Sequence, residues 1–370
     1  MKVLEIGYTN PFLPGAGGVE DYIRKITEHL NNKGDSVKIL CASRSRKFNH
    51  SQNILIEIYV PNFIWKLGLA KFYYNAKIYF YIKKYANDFD IVHINGDNGV
   101  FIPFIKNVKT IMTLHGSMIL EAKSFRFEKN LKLIIQYYFL AVLDGLFENI
   151  ACKRANILIS ETKFMKEYFE NVTKRTDIKI IPTCFNINKD SKLNKGLKNI
   201  KELKNSGKFL ALWVGLNPVR KNLGMSKKSV NELDDTILLT VGYSDPVPAK
   251  NVINLGYVDR ATLEYLYDVC DVFIFPTRYE GFGLVILEAM SHGLVPITSS
   301  VDAMKELIED GVDGFMVNTL AELINRIQYL RTHKEILYLM KENARKKASK
   351  YDCEIILNKI YTEFNSLGLS

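Results

Sequence analysis

Nowhere does this chain hold the run of about eighteen unbroken apolar residues that a membrane-crossing helix needs, which argues against a membrane-embedded bundle. The amino terminus, Met1-Lys2-Val3-Leu4-Glu5-Ile6, also lacks the uninterrupted apolar core of a signal peptide, because Glu5 falls inside it. It reads as a first strand, in a cytoplasmic protein. Cysteine is sparse: Cys41, Cys152, Cys184, Cys270 and Cys353 include no two at metal-ligand spacing, and a cytosolic chain is expected to keep them as free thiols. No low-complexity tract appears, and 47% hydrophobic with 24% charged residues argues against wholesale disorder. Acid is in short supply, since 40 Asp and Glu against 50 Lys and Arg leave a net charge of +10. That excess draws anions, and charge alone does not choose among nucleic acid, anionic lipid and phosphorylated small molecules.

What is present is an alternation. Short β-branched runs and longer amphipathic stretches follow one another along 370 residues, enough for two domains built from parallel βαβ units. The first half predicts strands at Val3 to Ile6, Val37 to Leu40, Ile91 to Ile94, Thr110 to Leu114, Ile157 to Ile159 and Lys179 to Ile181. A polar linker, Asn186 to Lys208, precedes a second set at Leu210 to Val214, Ile237 to Val241, Val272 to Phe275, Val295 to Ile297 and Phe315 to Val317. Helical patterns then run from Leu320 to Leu330 and from Lys334 to Phe364. The fold class is α/β, two Rossmann-like domains, and such sheets take ligands at the carboxyl ends of their strands.

The densest chemistry lies in Phe275-Pro276-Thr277-Arg278-Tyr279-Glu280-Gly281-Phe282-Gly283-Leu284-Val285-Ile286-Leu287-Glu288-Ala289-Met290. A buried strand ends, a glycine turn follows, and helical spacing begins near Leu284. Gly281 and Gly283 allow close backbone approach, and a helix amino terminus offers unpaired N–H groups to a phosphate. Taken singly, Glu280 is a loop carboxylate and Glu288 a helix-surface one. The whole string resembles the Glu-x7-Glu signature of the family 4 retaining glycosyltransferases of GT-B fold (glycosyltransferase group 1). The resemblance implies that Glu280 contacts the sugar of a nucleotide-diphosphate donor, that the amides of Gly281, Phe282, Gly283 and Leu284 contact phosphate, and that Glu288 binds ribose hydroxyls.

Other segments resemble the family in the same order. Pro14-Gly15-Ala16-Gly17-Gly18 would bring the amides of Gly17 and Gly18 against the diphosphate, although alone it is a flexible turn and no dinucleotide fingerprint. His115, in Thr113-Leu114-His115-Gly116, would hydrogen-bond donor sugar oxygens, while His93 is structural. In Val214-Gly215-Leu216-Asn217-Pro218-Val219-Arg220-Lys221, Lys221 matches the family lysine that steadies the leaving diphosphate. Leu216 departs from the usual arginine, with Arg220 open as a substitute. Val258 would line the nucleobase pocket through its backbone. Pro182-Thr183-Cys184-Phe185-Asn186 is a second departure and carries no catalytic reading. The implied layout is an acceptor-side domain over 1–183, a nucleotide-sugar-binding domain over 184–345 facing it across a cleft, and a terminal helix over 346–370 that returns to the first domain.

Asp88-Phe89-Asp90 is formally the metal-binding Asp-x-Asp of the other large glycosyltransferase fold, but it precedes a buried strand and reads as a solvated turn. No metal, cofactor or nucleic-acid partner is expected; the partners are a nucleotide-sugar donor and a glycan or lipid-linked acceptor. Two competing readings are an NAD-type Rossmann enzyme and a subunit of this fold with weakened activity. Finally, Ile58 to Asn87 contains no acidic residue and interleaves Lys66, Lys71, Lys77, Lys83 and Lys84 with Phe63, Trp65, Phe72, Tyr73, Tyr74, Tyr79, Phe80 and Tyr81. Either an amphipathic helix packs those aromatics on the sheet, or this face docks on the anionic inner membrane leaflet.

Overall fold

The computed structural model describes residues 1–13, 17–45, 54–124, 131–185, 198–244, 247–301 and 303–368. Two compact units divide the chain. One takes Met1–Ala122, Gln136–Cys184 and Glu354–Ser370, the other Lys123–Ile135 and Phe185–Cys353. The chain therefore passes into the second unit at Lys123 and again at Phe185, and returns to the first at Gln136 and at Glu354.

The first unit carries β1 (Lys2–Ile6), β2 (Ser36–Ser43), β3 (Leu55–Tyr59), β4 (Ile91–Asn95), β5 (Thr110–Leu114), β6 (Ile157–Ser160) and β7 (Lys179–Ile180) in the order β3-β2-β1-β4-β5-β6-β7, with every ladder parallel. Its helices are α1 (Gly18–Asn32), α2 (Asn62–Lys66), α3 (Ala70–Tyr85), α4 (Met118–Ser124), α5 (Leu131–Arg154) and α6 (Lys163–Thr173). The second unit carries α7 (Lys198–Asn205), β8 (Phe209–Gly215), α8 (Leu223–Asn231), β9 (Thr236–Gly242), β10 (Val252–Gly256), α9 (Arg260–Val269), β11 (Val272–Phe275), α10 (Leu284–Ser291), β12 (Val295–Ser299), α11 (Met304–Leu307), β13 (Phe315–Val317), α12 (Leu320–Thr332) and α13 (Lys334–Ala348). Its sheet order is β10-β9-β8-β11-β12-β13, again parallel. Both sheets are therefore the α/β, Rossmann-like kind that the strand pattern predicts.

Helices cover both faces of the second sheet, so its strands are apolar on both sides. β8 shows how: Leu210 and Leu212 enter one core layer, while Phe209, Ala211 and Trp213 enter the other. The last helix, α14 (Cys353–Gly368), is stitched to the first unit by Phe364 against the His93 ring, Tyr361 against His29, and a Lys109 Nζ hydrogen bond to the Leu367 carbonyl at 3.1 Å.

The helix expected from Lys334 to Phe364 breaks at a short 3-10 turn, Ser349–Tyr351. Strands β3 and β10 were not expected: both are edge strands, and β10 carries Asn254, Gly256 and a register shift that hide its pattern. The basic aromatic segment is not one helix, because Leu55–Tyr59 is a strand and Pro61 caps α2. Within it Tyr74 is buried, whereas Phe63 and Phe80 are 62% and 66% exposed. Lys66, Lys77, Lys83 and Lys84 face solvent, but Lys71 turns inward onto Asp97. Cys41, Cys152 and Cys270 are free and buried, whereas Cys184 and Cys353 are in disulfide linkage. The free-thiol expectation fails at those two positions, since spacing along the chain does not decide a thiol's oxidation state. Asp90 accepts the Lys2 amide at 2.7 Å and so anchors the start of β1. Residues 14–16 of the glycine loop and 186–197 of the expected linker lie outside the described residues.

Candidate active site

At the carboxyl end of β11 the chain must turn from a buried strand into α10, and Gly283 makes the turn. Its φ of +100° is a conformation side chains resist, and a Cβ there would lie 2.7 Å from Met304 Cε. Gly281 and Phe282 are buried, and among the described residues the amides of Gly281, Phe282 and Gly283 form no backbone hydrogen bond. With the leading amides of Leu284 and Val285, they form a donor-rich edge at the positive end of the helix.

Glu280 sits just ahead of that edge. Its Oε2 is buried without a hydrogen-bond donor among the described residues, and the guanidinium of Arg220 stands 3.5 Å away. Arg220 also donates to the Tyr279 carbonyl at 3.1 Å. Lys221 lies beside it, with Nζ 4.8 Å from the centre of the Phe275 ring and no ion pair among the described residues. Desolvation lowers the Lys221 pKa; Glu280 opposes that, Arg220 adds to it, and Glu288 opposes it more weakly. Leu216, at the position of the missing arginine, is 67% exposed.

Two loops hold these groups. The Arg278 amide donates to the Arg220 carbonyl at 2.8 Å, and its guanidinium donates to the Val219 carbonyl and, at 2.7 Å, to Asn222 Oδ1. Farther into α10, Glu288 is no free surface carboxylate: Arg260 Nη1 donates to Oε1 at 2.7 Å and the Tyr267 hydroxyl to Oε2 at 3.3 Å. Val258, between β10 and α9, is half-buried and packs on the core.

The first unit places His115 just past β5, within a chain of buried polar groups. Its Nδ1 lies 2.8 Å from Glu161 Oε1 and its Nε2 3.2 Å from Asn95 Oδ1. Asn95 Nδ2 in turn donates to Glu5, which also holds His93 Nδ1, and His93 Nε2 reaches Thr113. His93 is fully buried, as a structural residue should be. Gly17 caps α1 and Gly18 begins it, both exposed, but Glu20 and Asp21 already place negative charge in that first turn.

The structure thus brings Arg220, Lys221, Glu280, Gly281, Phe282, Gly283 and Leu284 together on the second unit, with Glu288 and Val258 on the same unit and His115, Gly17 and Gly18 on the first. Sequence reasoning missed Arg278, Asn222, Arg260, Tyr267 and Glu161. Arg278 lay in plain view two residues before Glu280; the others have partners remote in sequence. Among the described residues no group of three His, Cys, Asp or Glu side chains is arranged to hold a metal ion.

Two Rossmann-like parallel sheets, the second bearing this glutamate–glycine turn, define a glycosyltransferase of GT-B fold. The family profile "Glycosyl transferases group 1" matches residues 208–333 and that of "Glycosyltransferase Family 4" matches residues 16–189. The chain belongs to this family, the group 1 glycosyltransferases of family 4. Among relatives, it is 25% identical over 367 residues to the UDP-Gal:alpha-D-GlcNAc-diphosphoundecaprenol alpha-1,3-galactosyltransferase of Escherichia coli, covering 90% of each chain. It is 22% identical over 381 residues to the alpha-monoglucosyldiacylglycerol synthase of Acholeplasma laidlawii, covering 94% of this chain and 93% of that protein. The solved sucrose-phosphate synthase of Thermosynechococcus elongatus superposes with a TM-score of 0.82 at 20% identity, over 99% of this chain and 98% of that one.

Proposed function

We propose that this protein transfers a hexosyl group from a nucleotide-diphosphate donor to a glycan or lipid-linked acceptor, with retention of anomeric configuration. The observation that carries the reading is the surroundings of Glu280: among the described residues, a buried carboxylate oxygen lacking a donor, a desolvated lysine and, on the same turn as Glu280, a run of amides that form no backbone hydrogen bond. Sugar hydroxyls would donate to Glu280. The diphosphate would accept from the amides of Gly281 to Leu284, balanced by Lys221 and Arg220. Glu288 would take the ribose hydroxyls and the Val258 backbone an edge of the base. Assigning His115 to sugar oxygens, and Gly17 and Gly18 to the diphosphate, belongs to the same proposal.

In the transfer, the bond from the anomeric carbon to the phosphate oxygen breaks as the acceptor oxygen bonds to the same face. The acceptor proton passes to the departing phosphate oxygen. Lys221 and the helix amides stabilise the charge that develops there, where preorganised donors are worth most. A lipid-linked acceptor is favoured because both curated relatives described above carry a lipid in their names. Incubating the protein with radiolabelled UDP-, GDP- and ADP-hexoses and extracted lipid acceptors tests the reading. No transfer from any donor, with no thermal stabilisation by any nucleoside diphosphate, would sink it. Thermal stabilisation without transfer would instead favour the weakened-subunit reading, which the exposed Leu216 supports.

On this reading the acceptor is met at an anionic lipid surface. Exposed Phe63 and Phe80, with exposed Lys66, Lys77, Lys83 and Lys84, form an apolar and basic surface on α2 and α3 suited to anionic lipid, each lysine adding about 1 kcal/mol near the headgroups. No helix among the described residues is long and apolar enough to cross a membrane. Flotation with anionic liposomes is the test, using Lys66→Glu, Lys77→Glu and Lys83→Glu together. Lys71 is left intact because it is committed to Asp97. Flotation that these changes do not reduce would leave a soluble acceptor.

A further inference from the structure

We infer that Arg278 is a positioning residue for sugar transfer: its guanidinium clamps the Val219–Asn222 loop and thereby aims Arg220 and Lys221. The inference rests on the donor-site reading given under Proposed function.

The guanidinium donates to the Val219 carbonyl and to Asn222 Oδ1 at 2.7 Å, so its two acceptors bracket Arg220 and Lys221 in the chain. Between those acceptors the Arg220 carbonyl receives the Arg278 amide at 2.8 Å and the Thr277 hydroxyl at 3.4 Å. The loop is therefore tied at both ends and in the middle to the turn that carries Glu280. Asn222 is itself left-handed, at φ +50°, where it caps α8, so its amide oxygen is set by a constrained backbone.

Lys221 forms no ion pair among the described residues that would aim its ammonium. Its ammonium lies over the Phe275 ring, and the backbone that delivers it there is held by its carbonyl, which accepts Trp213 Nε1 at 3.2 Å, and by its amide, which donates to the Asn217 carbonyl at 3.0 Å. Releasing the far side of the loop would let that placement drift. A misplacement of about 1 Å costs on the order of 100-fold in rate. A lysine at 278 could not replace the clamp, because a point charge does not present two donors in a fixed plane.

The test compares Arg278→Met, Arg278→Lys, Arg278→Ala and Asn222→Gly, the last keeping the left-handed backbone while deleting the acceptor. Transfer kinetics, nucleoside-diphosphate affinity and melting temperature are read for each. Arg278→Met should lower kcat by about 10- to 100-fold, with donor KM changed less than about threefold. Arg278→Lys should not rescue it, and millimolar guanidinium should restore part of the rate in Arg278→Ala. Asn222→Gly should fall in the same direction, and Arg278→Met with Asn222→Gly should be no worse than Arg278→Met alone, the non-additivity of one unit. Wild-type kcat in Arg278→Met, while Lys221→Ala loses transfer, would overturn the clamp and spare the donor site. Wild-type transfer in Lys221→Ala would instead remove the donor-site reading. If Arg278→Met does not fold, Asn222→Gly decides, and an unchanged kcat there overturns the clamp.

Discussion

Arg260 at the start of α9 reaches Glu288 in α10, its Nη1 lying 2.7 Å from Oε1, while the Tyr267 hydroxyl donates to Oε2 at 3.3 Å. Glu288 is only 12% exposed, so the pair presets the carboxylate proposed to meet ribose. Glu288→Ala should raise the dissociation constant of a nucleoside diphosphate by about tenfold and change kcat little, because ribose contacts are shared by ground and transition states. Calorimetric titration checks this. Equal affinity in variant and wild type would remove Glu288 from the site.

Glu280→Gln keeps the volume and removes the charge. If the contact with the donor sugar tightens in the transition state, kcat should fall by roughly 100-fold while nucleotide binding shifts less than threefold. Steady-state kinetics with saturating acceptor measure both. A loss confined to KM would mean that Glu280 merely binds.

Burial lowers the Lys221 pKa, and only the protonated form can balance a diphosphate. The charge is complete well below that lowered value and is lost as pH rises through it, so the alkaline limb of transfer should fall at lower pH than an ordinary lysine would set. Lys221→Arg should push that limb upward at a reduced rate, and Lys221→Ala should abolish it. As the proposal assigns charge balance to these side chains and amides, transfer should survive EDTA. A pH–rate profile with and without chelator reads both.

Asp144 on α5 sits beside Lys71 and Asp97, and burial raises its pKa to about 6, with Lys71 opposing and Asp97 adding to the shift. The folded state thus holds this proton more tightly than the unfolded chain. Its stabilising contribution is complete below the unfolded value near 3.8 and is lost as pH rises through about 6. Asp144→Asn, which cannot ionise, should raise the melting temperature at pH 7.5 by several degrees and change it little at pH 4. Differential scanning calorimetry across that range decides, and equal shifts at both pH values would refute the assignment.

Much of the site was legible because its pattern is local. Glu280, Gly281, Gly283 and Glu288 fall within one strand–turn–helix transition, and glycine at a left-handed turn before an apolar helix can be read from residue type alone. Interior strands were legible for a related reason: strands buried on both faces read as continuous apolar runs, as at Val272–Phe275. Two of the four edge strands, β3 and β10, were not. Leu55–Tyr59 is only half-buried along its length and merged with the basic stretch that follows. Lys71 looked like its neighbouring lysines, since nothing near it in sequence announces Asp97.

By itself the sequence determined two α/β domains, the parallel strands of their interiors and the residues of the glutamate–glycine turn, because each of these follows from residue type and spacing over a few positions. Only the tertiary structure decided that Arg278 answers to Val219 and Asn222, Arg260 to Glu288, His115 to Glu161 and Lys71 to Asp97. These partners come from different elements of the chain. Charge and hydrogen-bonding capacity can be read from a residue's type, but partner choice depends on which strand ends a parallel sheet sets side by side.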